Sequence, residues 1–238
     1  KVDEATIAIL EGWLAAPGSP DADEGEKVDQ AANPEVSPTT SVSAEKITDA
    51  EKAREESVLW GYGAFSVLPG GSFPILETLT RIFLAQAEHD RLLSLLTDHL
   101  SRSENPKIWQ SLMQFLVYLR PTSRDALVSF FDELFDRFPE LRDTREAAHL
   151  LAHAQWSIPD FVQAVLNDWR RSGQIDQQTY GELVALIAIV QPNLLWATEM
   201  LAEIVNRDGR TPAQVGACYA AVNLWQELER RAACSKLL

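Results

Sequence analysis

The chain has 238 residues, 46% of them hydrophobic and 24% charged, which suffices for one or two domains with a sizeable core. The net charge is −14, of which residues 1–56 carry −9, and no basic run occurs, so the composition argues against binding of duplex nucleic acid through phosphates. No apolar stretch reaches the ~18 residues that a spanning helix needs, so we expect no membrane partner.

The N-terminal region predicts one short helix followed by an acidic linker. Ile7, Leu10 and Leu14 share a stripe at helical spacing, so residues 1–15 are interpreted as a helix that ends a preceding element. Residues 16–46 hold four prolines, many acidic and hydroxyl side chains and no aromatic residue. Such a segment buries too little apolar surface to offset its ordering entropy. It is predicted to be either a disordered linker or a long surface loop.

Residues 47–238 are predicted to form an all-α repeat domain, because no useful run of alternating strand pattern occurs. Polar N-cap residues and first-turn prolines mark the helix starts. One series of starts is Ser72, Asn105, Asp143, Asp176 and Thr211, and a second begins near Glu88, Ser123, Ser157 and Pro192. Two interleaved series with one period of about 35 residues indicate a repeat of helix pairs.

The second helices of these pairs each carry an arginine near their C-terminal end. A cation at this position complements the negative end of the helix dipole. This structural role explains Arg102, Arg137, Arg170 and Arg207.

In repeat period, helix lengths and Pro-bearing starts, residues 72–230 resemble the HEAT-like class of α-solenoids. The tetratricopeptide family has a similar period, but its Trp-Leu-Gly-Tyr set does not recur in the first helices. The resemblance implies a right-handed α-solenoid of about five antiparallel helix pairs, whose concave face grips partners. It transfers no functional residue.

One helix carries residues with the spacing of metal ligands. Glu146, His149 and His153 share a face at i, i+3 and i+7. The opposite stripe, which includes Leu150 and Leu151, is the evident core face. We therefore interpret the three as an ordinary polar face and predict no metal, with a metal-dependent helical enzyme as an alternative.

Two histidines next to aspartates invite an acid–base interpretation. His89 precedes Asp90, and His99 follows Asp98. Adjacent residues on a helix point in different directions, so neither pair is oriented for proton transfer. We predict no catalytic residue and no cofactor.

The stretch from residue 59 to 74 is the least repeat-like part of the helical body. Its glycines lack the Gly-Lys-Ser/Thr of a phosphate-binding loop. Trp60, Tyr62 and Phe65 are predicted to cap the open end of the repeat stack.

The strongest candidate for a binding anchor is the run Trp169, Arg170 and Arg171, since interface hot spots favour tryptophan, tyrosine and arginine. The alternative interpretation places Trp169 inward, on the stripe of Val162, Val165 and Leu166, with the arginines closing the helix.

A repeat pattern with no recognisable set of catalytic residues favours a non-catalytic function. We interpret the chain as a protein–protein interaction or scaffold module that is a fragment of a larger protein. A second hypothesis is a sensing or regulatory arm of a large multidomain NTPase, such as a bacterial signalling or defence protein. Partners are expected to be another protein or another domain of the parent chain. Cys218 and Cys234 are too few for a disulfide framework, which favours a cytoplasmic location.

Overall fold

The structure is a computed structural model. It describes residues 2–15, 57, 59, 71–172, 176–225 and 227–235. The predicted acidic linker over residues 16–46 lies outside these residues, as do Trp60, Tyr62 and Phe65 of the predicted cap.

The described residues form helices and no strand, which confirms the all-α prediction for this part of the chain. None of these helices combines the length and the apolar content that crossing a membrane requires. The α-helices are α1 (Glu4–Ala15), α2 (Phe73–Gln86), α3 (His89–Leu100), α4 (Pro106–Leu116), α5 (Arg124–Arg137), α6 (Arg145–Ala154), α7 (Pro159–Ser172), α8 (Gln177–Val190), α9 (Leu195–Val205), α10 (Pro212–Leu224) and α11 (Arg231–Cys234). Two 3₁₀ helices cover Pro139–Asp143 and Leu228–Arg230.

Four of the nine predicted helix starts carry a side-chain cap, while α2 and α3 begin just after Ser72 and Glu88 without one. The side chain of Asn105 accepts a hydrogen bond from the Lys107 amide, and Asp176 and Ser123 cap α8 and α5 in the same way. Thr211 forms a full capping box with Gln214. Each cap satisfies an amide that has no partner within the helix.

Three predicted starts are displaced along the chain. The N-cap of α6 is Thr144 and not Asp143, because Asp143 ends the preceding 3₁₀ helix while Thr144 is extended and accepts from the Ala147 amide. Helix α7 begins at Pro159 rather than near Ser157, since the residue before a proline avoids the helical region. Helix α9 begins at Leu195, three residues beyond Pro192.

The helices contact one another in two series. The even-numbered helices pack each on the next, α2 on α4, α4 on α6, α6 on α8 and α8 on α10. Among the odd-numbered helices, α3 packs on α5, and ring or ion-pair contacts join α5 to α7 and α7 to α9. Helix α1 packs on α2, and its Glu4 and Glu11 form ion pairs with Arg91 of α3.

Large aromatic side chains fill the core between α3 and α7. Ring contacts run from His99 to Trp109 at 5.8 Å between centroids, and from Trp109 to Phe130 at 6.1 Å. The chain of rings continues to Phe131 and then to Phe161 of α7, at 5.5 and 5.9 Å. All five side chains are buried, so this chain of rings joins four helices, α3, α4, α5 and α7, into one core.

Small residues fill the contact between α8 and α10 instead. A Cβ atom added at Gly181 would lie 1.9 Å from the carbonyl oxygen of Ala213. One added at Gly216 would lie 1.9 Å from the carbonyl oxygen of Gln178. The two helix backbones are therefore in direct contact, and only glycine fits at both positions.

Candidate binding surfaces

The predicted anchor is divided between the core and the surface. The ring of Trp169 is only 1% exposed, so it packs inside on α7 and offers no face to a partner. Arg170 and Arg171 lie at the surface, and Arg170 forms an ion pair with Glu203 of α9. The surface at this end of α7 therefore presents guanidinium groups and no aromatic ring.

The possible metal ligands of α6 occupy three different environments. Glu146 is buried and accepts a hydrogen bond from Gln110 of α4 at 3.1 Å. His149 is partly buried, and desolvation, with the charges of Arg145 and His153, lowers its pKa to about 4. His153 is exposed. Across the described residues, no group of three or more His, Cys, Asp or Glu is arranged to hold a metal ion.

The histidines and aspartates that are adjacent in the sequence make structural contacts. Asp90 accepts from the backbone amide and the hydroxyl of Thr122, at 2.8 and 2.7 Å, which lowers its pKa. His89 accepts from the backbone amide of Arg120 at 3.4 Å. At the other end of α3, His99 is buried against Trp109, while Asp98 pairs with Arg102. Each group is held by neighbours other than the adjacent residue.

Of the arginines predicted to close their own helices, Arg102 makes a contact consistent with that role, whereas Arg137 of α5 contacts the chain just past α3. Arg102 donates to the carbonyl oxygen of Asp98 in the last turn of α3 at 3.2 Å. Arg137 donates to the carbonyl oxygen of Ser103, which follows α3, at 2.9 Å. Both guanidinium groups thus satisfy carbonyls at or just past a helix end.

Large apolar side chains are exposed at one set of turns, those that lead from an even-numbered helix to the next odd-numbered one. We call these the even-to-odd turns. Tyr118 is 62% exposed, Trp156 58%, Leu195 72% and Trp225 39%. Tyr118, Trp156 and Trp225 follow the ends of α4, α6 and α10 by one or two positions, and Leu195 is the first residue of α9. Sequence reasoning missed these residues, although a large apolar residue just past the last stripe position of α4, α6 and α10 was a readable signal.

The turns in the opposite direction are built differently. In the described turn between α5 and α6, Phe138 is 5% exposed and Leu141 is 2% exposed. Within the described residues, exposed rings occur after α4, α6 and α10, and neither after α2 nor between α5 and α6.

Open grooves separate neighbouring odd-numbered helices. The groove between α3 and α5 has a volume of about 620 Å³ and is lined by small and acidic side chains, among them Ser94, Asp98, Ser129 and Glu133. A second groove, between α5 and α7, has a volume of about 200 Å³ and includes Asp132. Burial and then the neighbouring Asp136 raise the pKa of Asp132. These grooves are shallow surface features rather than enclosed ligand cavities.

Comparison of the chain with protein-family models, with curated proteins and with solved structures found no match. Function is therefore argued from the surfaces and contacts described above.

Proposed function

We propose that the described helices form an α-solenoid of helix pairs, and that its function is non-catalytic binding, as a protein–protein interaction or scaffold module. Each even-numbered helix and the following odd-numbered helix would be one repeat. The partner would be another protein, or another domain of a parent chain, in the cytoplasm.

The observation that carries this proposal is that polar contacts join residues one repeat apart. They link Asp90 to Thr122, Ser103 to Arg137, Gln110 to Glu146, Gln155 to Gln191 and Arg170 to Glu203, with sequence separations of 32 to 36 residues. The separations match the period read from the helix starts. Stacking of like elements on like elements is what a solenoid requires.

A stack of this kind presents long surfaces in place of a central cavity. Solenoids use such surfaces to bind extended partners. The open grooves and the exposed rings of the even-to-odd turns support this use, because both features lie on the outside of the stack.

The proposal is tested by binding experiments with purified protein. Immobilised protein is used to recover partners from a host extract, each recovered protein is identified and purified, and binding is measured by calorimetry. We expect at least one partner with a dissociation constant at or below the micromolar range and a defined stoichiometry. Purified candidates that all fail to rebind would contradict the binding function.

The solenoid arrangement has a separate test in X-ray scattering from solution. A stack of five pairs is elongated, so the radius of gyration of its roughly 168 residues should exceed the ~15 Å that compact packing predicts for that length. Because residues outside the described ranges also scatter, the comparison is made on a shortened variant that begins near residue 71, after checking that it unfolds cooperatively. A compact value for this variant would count against the solenoid.

A further inference from the structure

The even-to-odd turns of three successive repeats form a continuous strip, which we call the turn edge: residues 117–123, 154–158 and 191–195. We propose that the turn edge docks a segment of a partner protein that packs a large apolar side chain between Tyr118 and Trp156 and places a carboxylate on Arg120. This inference rests on the proposed binding function and specifies its surface and the partner chemistry.

Direct contacts hold the turns of the strip together. Arg120 and Ser157 line one small cavity, so the turn after α4 touches the turn after α6. Gln191 donates to Gln155 at 3.2 Å, which joins the turn after α6 to the turn after α8. The double hydrogen bond from Thr122 to Asp90 fixes the first turn to α3. The exposed side chains are therefore carried by turns that are fixed to one another and to α3, which lowers the entropy cost of binding.

The exposed side chains are those that dominate binding energy at interfaces. Tyr118, Trp156 and Leu195 are each more than half exposed, on adjacent turns of the strip. Single exposed apolar residues need no explanation, whereas a contiguous patch marks an interaction site. Tryptophan, tyrosine and arginine are the residue types enriched among hot spots.

Arg120 gives the strip its charge preference. Its guanidinium donates to the carbonyl oxygens of Val117 and Leu119, both at 2.8 Å, and it forms no ion pair with a carboxylate in the described part of the chain. Burial and then the charge of Arg120 lower the pKa of His153. His153 therefore remains neutral at pH 7, and Arg120 is the cation of the turn edge.

None of the acidic groups nearby forms an ion pair with this cation in the described residues. Asp90 already accepts two hydrogen bonds from Thr122. Asp125 and Asp160 lie in the first turns of α5 and α7, where they complement the helix dipoles. Arg124 is a further exposed cation without an ion pair among the described residues. A partner carboxylate is thus the complementary group that the strip lacks.

Other occupants of the turn edge would complement its charge less well. An extended anionic lipid surface would face the net charge of −14 of the whole chain, whereas a single carboxylate of a peptide segment would face only the charges within a screening length of Arg120. A second copy that docked through the same edge would place like arginines near each other, since a two-fold contact repeats the same patch on both sides. An acidic and apolar segment of a different protein satisfies both the rings and the guanidinium.

The test uses a phage-displayed library of random twelve-residue peptides selected on the full chain. The selected peptides are synthesised and measured by fluorescence anisotropy against Tyr118→Ser, Trp156→Ser and Arg120→Gln. The matched controls are Trp13→Ser, whose ring on α1 is 60% exposed, and Arg210→Gln, an exposed arginine between α9 and α10. Circular dichroism of every variant checks that folding is retained.

We expect selected peptides to combine an aromatic or large aliphatic residue with Asp or Glu. Affinity should fall by about tenfold or more in Trp156→Ser and Tyr118→Ser, and by about three- to tenfold in Arg120→Gln. The two controls should change affinity by less than about twofold.

Several outcomes would overturn the inference and leave the proposed function intact. These are selected peptides that bind the three turn-edge variants as tightly as wild type, peptides whose binding is lost with Arg210→Gln instead of Arg120→Gln, and selected peptides without carboxylates. Sedimentation that shows a dimer abolished by Trp156→Ser would assign the edge to a second copy, and vesicle binding abolished by it would assign the edge to a membrane. A library that yields no peptide above background would contradict the inference and count against the proposed function as well.

Discussion

Two regions of the described helices reach close packing through different kinds of side chain. From α3 to α7, the neighbouring elements meet through rings, with Trp109 and Phe131 at the centre of a chain of aromatic contacts. Between α8 and α10 the backbones themselves meet, at Gly181 and Gly216. Close packing is reached in both cases, but the first region is sensitive to loss of volume and the second to gain of volume.

The largest expected effect is a loss of volume in the region of rings. Trp109→Ala should lower the free energy of unfolding by about 3–5 kcal/mol, because it leaves a cavity among buried rings. Chemical denaturation measures this change. Trp109→Phe should cost less, because the indole Nε1 has no hydrogen-bond partner in the described residues. The matched control is Trp156→Ala on the surface, which should change stability by less than about 0.5 kcal/mol. Equal losses at the two tryptophans would remove the distinction between a packed and an exposed ring.

The next effect is a gain of volume in the close-contact region. Gly181→Ala and Gly216→Ala should each cost about 1–3 kcal/mol or more, since the new methyl group meets a backbone carbonyl that cannot move aside. The control is Gly12→Ala in α1, where no heavy atom lies within 4 Å of the new Cβ. There the substitution should be neutral or stabilise by up to about 1 kcal/mol through helix propensity. If all three variants had similar stability, backbone contact between α8 and α10 would be refuted.

A pH effect is expected at α6, which lies between the two regions. The pKa of His149 is lowered to about 4 in the folded chain, against an unfolded value of about 6.5. Protonation therefore favours the unfolded state, so the stability that neutral His149 contributes is complete above pH ~6.5. It is lost progressively as the pH falls towards ~4.

This titration is measured by comparing wild type with His149→Gln from pH 7 to pH 4. Between pH 7 and pH 5 the free energy of unfolding should fall by about 1–2 kcal/mol less in the variant than in wild type, allowing for solvent screening of a partly exposed ring. His153→Gln is the control and should show a smaller change, because His153 is exposed. Parallel pH profiles for wild type and His149→Gln would contradict the prediction.

The smallest effect concerns a helix start in the close-contact region. Thr211→Ala removes the capping box of α10 and should cost about 1 kcal/mol. The same substitution at Thr78, an exposed position inside α2 whose hydroxyl donates back to the carbonyl of Pro74, should be neutral or slightly stabilising. Thermal unfolding of both variants provides the comparison, and a cost at Thr78 equal to that at Thr211 would show that the cap is not responsible.

The N-cap residues of several helices could be predicted from the sequence alone. Asn105, Asp176 and Thr211 were identified from residue type and spacing alone, because an N-cap depends only on its own next three residues. The displaced start at Thr144 shows the limit of that reasoning. Asp143 has an equally suitable side chain, but a 3₁₀ helix over Pro139–Asp143 uses its backbone.

The sequence by itself determined that the described residues are helical and where most of their helices begin, since these properties follow from nearest neighbours and side-chain periodicity. Only the tertiary structure decided which tryptophans face a partner. Trp169 continues an apolar stripe and becomes covered when neighbouring helices pack on it, whereas Trp156 follows the end of α6 and remains exposed. Burial depends on what another part of the chain places over a residue, and for Trp156 the described helices place nothing over most of its ring.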